Sequence, residues 1–292
     1  LLGKHACCCC CCWSTLCRNI STMLLEVWEE LKQVVVEEHG YSERFLCVAV
    51  LFTSFVIVDW GLQIALGIIY HFDLFAKYKI QGPDKWPPTP LVIKAFVSHA
   101  VGQVLFPLLM YYLVWPMYEK YGAIRTSGDL DSWPVFLGKS VVFFLYLDFM
   151  FYWEHRLAHH PALYKYVHKQ HHEFKQTIGI AFEYAHPVED LLINTLPMLA
   201  FPCFGFDFHI MQLSLFYVIR LWETIDAHCG YEFPFSPWCI FPSIQGGADK
   251  HDFHHSHNVG NFGIFNIWDP LMGTNKAYLK YLEKKKLQKK VE

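Results

Sequence analysis

Residues 133–160 read WPVFLGKSVVFFLYLDFMFYWEHRLAHH, an apolar stretch that runs directly into a cluster of histidines. The apolar part, residues 133–153, is long enough for a helix that enters a membrane. His155 and His159 follow it at a spacing of four, and residues three or four apart share one face of a helix. Neutral imidazole is the commonest transition-metal ligand near neutral pH. The stretch therefore predicts a helix that leads from a membrane into a metal site.

Two further apolar runs precede it, residues 46–71 and residues 91–115. Each would form a helix of roughly 38 Å, which is enough to cross a bilayer. The polar connector Lys77–Pro90 lies between them. Residues 188–222 are also apolar but interrupted by prolines, which favours a hairpin of two short helices that returns to the same side. The number of complete spans stays open.

The composition agrees with a membrane protein: 53% of the 292 residues are hydrophobic and 17% are charged. The formal net charge is −3, so no basic field indicates a nucleic-acid partner. Seven of the 11 cysteines fall within the first 17 residues, six of them consecutive, which excludes an ordinary disulfide framework.

We expect four regions along the chain. Residues 1–22 are a doubtful cysteine-rich leader, with Met23 as a plausible start. Residues 23–132 contain two transmembrane helices, residues 133–280 form the catalytic domain, and residues 281–292 are a basic tail. Lys289 and Lys290 in this tail match the dilysine signal of endoplasmic-reticulum membrane proteins, which would place the nearby histidines in the cytosol.

Histidine is the most informative residue type, because 13 of the 17 lie between His155 and His257. They form three clusters: His155-Arg-Leu-Ala-His159-His160, His168-Lys-Gln-His171-His172 and His251-Asp-Phe-His254-His255-Ser-His257. Eight or more histidines without an interleaved cysteine are too many for one tetrahedral structural zinc ion. Two ions that share the nitrogens fit better. Iron is the ordinary choice for O₂ activation, although the ligand type alone leaves zinc and copper open.

Two isolated histidines and several carboxylates are further candidates. His186 and His228 flank the apolar hairpin, and each is equally compatible with a structural hydrogen-bonded role. Carboxylates often fix the orientation of ligating imidazoles. The candidates for this role are Asp148, Glu223, Asp226 and Asp252, for which helix capping or solvation is the alternative.

The clusters and the strings around them resemble the sterol desaturase/fatty acid hydroxylase superfamily, and within it the 4-methylsterol oxidase branch. The strings are Tyr164-Lys-Tyr-Val-His168-Lys-Gln-His171-His172-Glu-Phe174, Glu183-Tyr-Ala-His186-Pro187, Glu223-Thr-Ile-Asp-Ala-His228-Cys-Gly-Tyr231 and Trp268-Asp-Pro-Leu-Met-Gly273-Thr274. The resemblance covers residues 140–280 closely. It implies an all-α integral membrane protein whose cytosolic, histidine-rich helical cap holds a di-metal site.

The resemblance also implies a function and a set of ligands. The enzyme would oxidise the 4α-methyl group of a sterol precursor to alcohol, aldehyde and carboxylate at a non-haem di-iron centre in the endoplasmic-reticulum membrane. Electrons would come from NAD(P)H through cytochrome b5 and its reductase, and a sterol decarboxylase would act next. The implied ligands are His155, His159, His168, His171, His172, His251, His254 and His255, with His228 favoured over His186 as a further one.

Two departures from the family pattern keep the substrate open. Lys250 stands where a histidine often precedes the third cluster, and His257 follows the final pair as in cholesterol 25-hydroxylase. The alternative functions are hydroxylation of a sterol side chain, a fatty acyl chain or a sphingolipid. A metal transporter would carry its ligands within the membrane spans, whereas these clusters follow the spans, and a non-catalytic scaffold would bind no metal.

Overall fold

The computed structural model describes residues 6–82, 85–234, 236 and 246–288, with side chains from residue 15 onward. The α-helices are α1 (Ala6–Lys32), α2 (Glu43–His71), α3 (Thr89–Leu109), α4 (Trp115–Tyr121), α5 (Trp133–Ala158), α6 (Pro161–Val167), α7 (Pro187–Glu189), α8 (Leu196–Ala200), α9 (Ile210–His228), α10 (Gly247–His257), α11 (Trp268–Met272) and α12 (Lys276–Gln288). Short 3₁₀ or π segments lie at Gln33–Glu38, Ala76–Tyr78, Met110–Val114, His171–Glu173, Gly179–Glu183, Asp190–Thr195 and Phe201–Phe204. The chain is therefore predominantly helical, as predicted.

Three helices of the described chain are long and apolar enough to cross a membrane: Glu43–His71, Thr89–Tyr121 and Trp133–Ala158. They include the three apolar runs of the sequence and extend each by several residues. The second continues through a π segment and α4, and Pro116 lies just after that segment, at the start of α4. Proline removes a backbone donor from the helix, and a local π segment is a common way for a membrane helix to satisfy the freed carbonyl.

The side chains of these helices are arranged for a lipid environment. Ile57, Ile64 and Val104 are each at least 60% exposed, although all are aliphatic. In contrast, Asp59 and His99 are completely buried, with 2.7 Å between Oδ2 of the carboxylate and Nε2 of the ring. Ionisable groups within membrane helices are costly unless they are paired and face the protein interior. The pair therefore connects α2 to α3.

Residues 188–222, predicted as a hairpin of two short helices, form two helical stretches rather than one span. The first runs from α7 through α8 to a 3₁₀ segment that ends at Phe204, and the second is α9. Between them, strand β2 (Phe208–His209) pairs in parallel with β1 (Ile124–Arg125). Pro197 and Pro202 explain the breaks in the first stretch, because proline cannot donate to a preceding carbonyl.

The chain divides into two compact units. The first comprises residues 1–55, 107–142 and 202–218, and the second comprises residues 56–106, 143–201 and 219–292. In the first unit, Arg125 and Lys139 form ion pairs with Asp131 and Asp207 beside the two strands. In the second unit, Leu91 and Ala95 of α3 pack in one apolar cluster with Phe174 and Tyr184. Phe174 and Tyr184 belong to the segment that follows the second group of histidines in the sequence, so this packing connects that segment to α3.

A tight loop follows α10 in the second unit. Asn258, Gly260 and Asn261 all have left-handed backbone conformations, with φ of 56°, 62° and 57°. A Cβ atom on Gly260 would lie 2.0 Å from the carbonyl oxygen of Thr274, so only glycine fits there. The sequence predicted a site at α10 but gave no indication of the shape of this loop.

Gly260→Ala is expected to lower the free energy of unfolding by more than about 1 kcal/mol, because alanine is strained at positive φ and would collide with the backbone of Thr274. The measurement is the thermal unfolding midpoint of the detergent-solubilised protein. Gly82→Ala is the matched control, since a Cβ at Gly82 meets no atom within 4 Å. Equal midpoints for the two variants would contradict the loop geometry.

Candidate metal centre

Nine histidines of the second unit converge as two adjacent groups. The first group contains His155, His159, His168, His172 and His254, and the second contains His171, His228, His251 and His255. Within each group, the candidate ligand atoms all lie within 4.8 Å of one another. All three sequence clusters and the isolated His228 contribute, although they are separated by up to about 100 residues along the chain.

The helices and turns that carry the nine histidines place the imidazole rings at the metal centre in different ways. His155 and His159 lie one turn apart at the end of α5. The second cluster follows the short helix α6, where a 3₁₀ turn at His171–Glu173 sends its two neighbouring histidines to different groups. Helix α9 ends at His228. Helix α10 also divides its ligands, since His254 belongs to the five-histidine group and its neighbour His255 to the four-histidine group.

Backbone carbonyls fix the protonation of several rings. In the five-histidine group, Nδ1 of His155 lies 2.9 Å from the oxygen of Phe262, and Nδ1 of His254 lies 2.6 Å from the oxygen of Gly260. A carbonyl oxygen only accepts, so each ring donates through Nδ1–H and its neutral form has a bare lone pair on Nε2. Yet the two Nε2 atoms lie 3.0 Å apart. Two facing lone pairs repel each other unless a cation lies between them.

The four-histidine group shows the same arrangement. Nδ1 of His228 donates to the oxygen of Thr224, and Nδ1 of His255 donates to the oxygen of Phe174. Their Nε2 atoms lie 2.9 Å and 3.2 Å from Nε2 of His251, which is thus the third nitrogen of a converging set. Donors of this kind and number fit transition-metal ions. Both groups are therefore suited to hold one ion each.

Burial keeps the rings in the neutral form that binds metal. It lowers the pKa of His228 to about 4 and, together with the neighbouring His155, that of His159 to about 2. For His251, His254 and His255, burial and the surrounding imidazoles lower the pKa well below its usual value. A pKa below neutrality leaves the ring unprotonated at pH 7. The lone pairs are consequently available as ligands.

Glu189 is a carboxylate that the sequence reasoning missed. Its Oε1 lies 2.7 Å from Nδ1 of His168, and both side chains are almost fully buried. Burial, with a smaller contribution from Asp190, raises the pKa of Glu189 to about 9. A positive charge on the side of His168 is thus needed to keep this carboxylate ionised near neutral pH. Such carboxylate–imidazole pairs orient metal ligands and increase their basicity.

Asp269 organises the loop that supplies the carbonyl acceptors of His155 and His254. Its carboxylate accepts hydrogen bonds from the amides of Phe262 and Gly263 and from the hydroxyl of Thr274. It also pairs with Lys250 at 2.8 Å. Burial alone would raise the pKa of Asp269, but the lysine and these hydrogen bonds hold it below its usual value. Lys250, the departure from the family pattern, thus anchors this loop.

The other predicted site residues lie elsewhere. His186 caps α7, where its Nδ1 accepts from the amide of Val188, and it belongs to neither group. The four candidate carboxylates have hydrogen-bond partners other than imidazoles, and for Glu223 the partner is Arg220. Asp148 accepts from the amide of Phe265, Asp226 from the hydroxyl of Ser236, and Asp252 from Gln81 and Thr177. No spacing pattern in the sequence marks Glu189, which lies between the second cluster and the hairpin.

Comparison with known proteins agrees with this geometry. The fatty acid hydroxylase family pattern matches residues 140–274, and this range includes every member of both histidine groups. The chain belongs to the fatty acid hydroxylase family. It is therefore an enzyme of an oxidoreductase family.

Relatives within this family carry two kinds of name. A Dictyostelium discoideum protein whose name gives methylsterol monooxygenase as a provisional activity is 35% identical over 85% of this chain and 92% of its own. Methylsterol monooxygenase 1 of Gallus gallus is 33% identical over 81% of this chain and 83% of its own. Very-long-chain aldehyde decarbonylase GL1-11 of Oryza sativa subsp. indica is 37% identical over 82% and 89%. No solved structure matches the chain significantly.

The neighbours His254 and His255 allow the two groups to be tested separately. His254→Ala and His255→Ala are each expected to reduce the bound metal from about two ions to about one per chain after dialysis against a chelator, because each removes a ligand from a different group. The double variant should retain neither ion. Elemental analysis measures the ratio.

His257→Ala is the control for these variants, since His257 lies on the same helix but stacks on Phe253 outside both groups. It should retain both ions. Retention of two ions by either His254→Ala or His255→Ala would contradict the assignment of these ligands.

Glu189→Gln is expected to weaken metal binding in the five-histidine group by about 10- to 100-fold, because glutamine keeps the shape but removes the charge that faces His168. Competition with a chromophoric chelator measures the affinity. Asp190→Asn is the matched control, since this neighbouring carboxylate contacts no ring of either group. Equal affinities in the two variants would show that Glu189 does not support the site.

Proposed function

We propose that the protein uses O₂ to oxidise the 4α-methyl group of a sterol precursor to the alcohol, aldehyde and carboxylate. The observation that carries this proposal is the pair of all-imidazole groups at the end of a membrane-type helix, in a chain 33–35% identical to proteins named methylsterol monooxygenases over more than four-fifths of its length. The site and these relatives thus support an oxidation of a membrane lipid.

The proposed cofactor is a pair of non-haem iron ions held by the nine convergent histidines. Bound iron would supply the oxidant for an unactivated C–H bond, which no acid–base side chain can break. The residues of the chain perform the other tasks. Glu189 and the carbonyls of Gly260 and Phe262 orient the imidazoles, and Asp269 holds the loop that presents those carbonyls.

The proposed setting is the endoplasmic-reticulum membrane, with the site facing the cytosol. Support comes from the three apolar helices and from the dilysine pattern at Lys289 and Lys290, which lies outside the described residues. The proposed partners are the sterol in the membrane, cytochrome b5 and its reductase as carriers of electrons from NAD(P)H, and a sterol decarboxylase that consumes the carboxylate product. The involvement of each rests on the family resemblance.

A second candidate function is conversion of a very-long-chain aldehyde. It is favoured by the 37% identity to the Oryza sativa decarbonylase, which is as similar to the chain as the named methylsterol monooxygenases are. Both candidate reactions take place at or next to the polar end of a lipid.

The deciding experiment supplies the purified protein with NADH, cytochrome b5 and its reductase. It is incubated in parallel with a 4,4-dimethylsterol and with a very-long-chain aldehyde, and the products are identified by mass spectrometry. Our proposal predicts a 4-carboxysterol that requires O₂ and is absent with His254→Ala. Conversion of the aldehyde alone would replace the sterol function with the second candidate.

A further inference from the structure

A small cavity of about 40 Å³, partly open to solvent, lies directly beside the four-histidine group. His228 and His251 form part of its wall, whereas no member of the five-histidine group does. A molecule in this cavity would therefore approach the metal centre from the side with fewer protein ligands. This is the side on which an ion has coordination positions left for reactants.

One wall of the cavity is a continuous face of α9. Arg220, Glu223, Thr224, Ala227 and His228 all line it, and their spacing of three or four residues places them in one row. Glu223 precedes His228 by five residues, which corresponds to about 7.5 Å along the helix axis. The row therefore carries a metal ligand at one end and charged groups one to two turns away.

Another part of the lining is apolar. Phe151, Ile264 and Phe265 line it with apolar side chains. The cavity is thus amphipathic, since apolar residues, the charged row and the candidate metal ligands His228 and His251 share its lining. In ligand sites, a few polar groups in a largely apolar lining fix the orientation of the bound molecule.

Arg220 and Glu223 form the charged part of the row. The guanidinium donates to the carboxylate, and both side chains are largely buried, with 13% and 10% exposed. Within the described residues, neither has another hydrogen-bond partner. The other charged groups of the wall are engaged elsewhere, because Lys250 pairs with Asp269, and Asp226 accepts from Ser236. A buried ion pair is costly, and here it faces the cavity with donor and acceptor capacity remaining.

We propose that the Arg220–Glu223 pair binds the polar end of the lipid substrate, a hydroxyl or carbonyl group on or next to the carbon that is oxidised. This inference rests on the proposed function and specifies how the substrate is oriented. In a 4-methylsterol, the hydroxyl-bearing carbon adjoins the one that carries the methyl groups, so a hydroxyl held by the pair keeps the methyl group on the side of His228.

The pair therefore acts as a specificity determinant. A site built to hydrogen-bond a hydroxyl discriminates strongly against an analogue that lacks the donor, because the buried polar groups of the site are then left unpaired. A hydrocarbon chain without a nearby polar group would leave the ion pair covered by apolar surface. Such a chain should be a poor substrate.

The test compares a 4,4-dimethylsterol that has a free 3-hydroxyl with its 3-methyl ether. For the wild-type enzyme, kcat/KM for the ether should be at least about 10-fold lower, because the ether cannot donate to Glu223. Glu223→Gln and Arg220→Lys should lower kcat/KM for the hydroxyl substrate toward the ether value, mainly through KM, and leave the ether nearly unchanged. Trp222→Phe is the control on the same helix, since Trp222 does not line the cavity and is 40% exposed.

Bound metal is measured in every variant, so that a loss of the centre is not mistaken for a loss of recognition. Equal kcat/KM values of the wild-type enzyme for the two sterols would overturn the inference, whatever the variants do. It would also be overturned if metal-replete Glu223→Gln and Arg220→Lys kept the wild-type preference.

A different result identifies a failure of the proposed function itself. If the wild-type enzyme oxidises neither sterol, the same variants are compared on a very-long-chain aldehyde and on the alkane of equal length. Preference for the aldehyde that depends on Arg220 and Glu223 would support binding of the polar end by this pair. Equal rates for the two chains would overturn it.

Discussion

The structure depends on the repulsion between the lone pairs of imidazole nitrogens that face one another at 2.9–3.2 Å. His155, His254, His228 and His255 each donate through Nδ1 to a backbone carbonyl, so their Nε2 atoms present lone pairs to the centre. Without a cation, this arrangement combines repulsion with the burial of unpaired polar atoms, which is among the costliest features that a protein interior can contain. With a metal ion in each group, the same geometry becomes a set of preoriented ligands. The backbone carbonyls around the rings hold the imidazoles in this orientation.

Several features of the fold serve this purpose. The membrane-type helix α5 ends at the site and brings His155 and His159 to it, while α10 divides its ligands between the groups. The loop after α10 adopts left-handed conformations that direct carbonyls back at the rings, and Asp269 keeps it in that shape. The amphipathic cavity lies on the four-histidine side only. The cavity thus gives access to the group with fewer ligands.

Much of this could be predicted from the sequence, because it is encoded in local patterns. Apolar length located the three long helices to within a few residues, with residues 46–71 predicted and Glu43–His71 observed. Histidine spacing indicated the convergent clusters, and the family resemblance favoured His228 over His186. The division into groups of five and four could not be predicted, since neighbours such as His254 and His255 diverge by about 100° around a helix axis. Glu189 and the carbonyl acceptors were also missed, because their roles depend on long-range packing. The hydrogen-bond partners of Asp148, Asp226 and Asp252 likewise depend on long-range packing and could not be read from the sequence.

The central claim is that the two histidine groups hold two redox metal ions. X-ray absorption at the iron edge, combined with elemental analysis of the purified protein, tests it most directly. The account predicts about two iron ions per chain, each surrounded by nitrogen or oxygen ligands with the multiple-scattering pattern of imidazole and without sulfur. A protein that is active and correctly folded with no bound metal, or with a metal bound through cysteine, would contradict it.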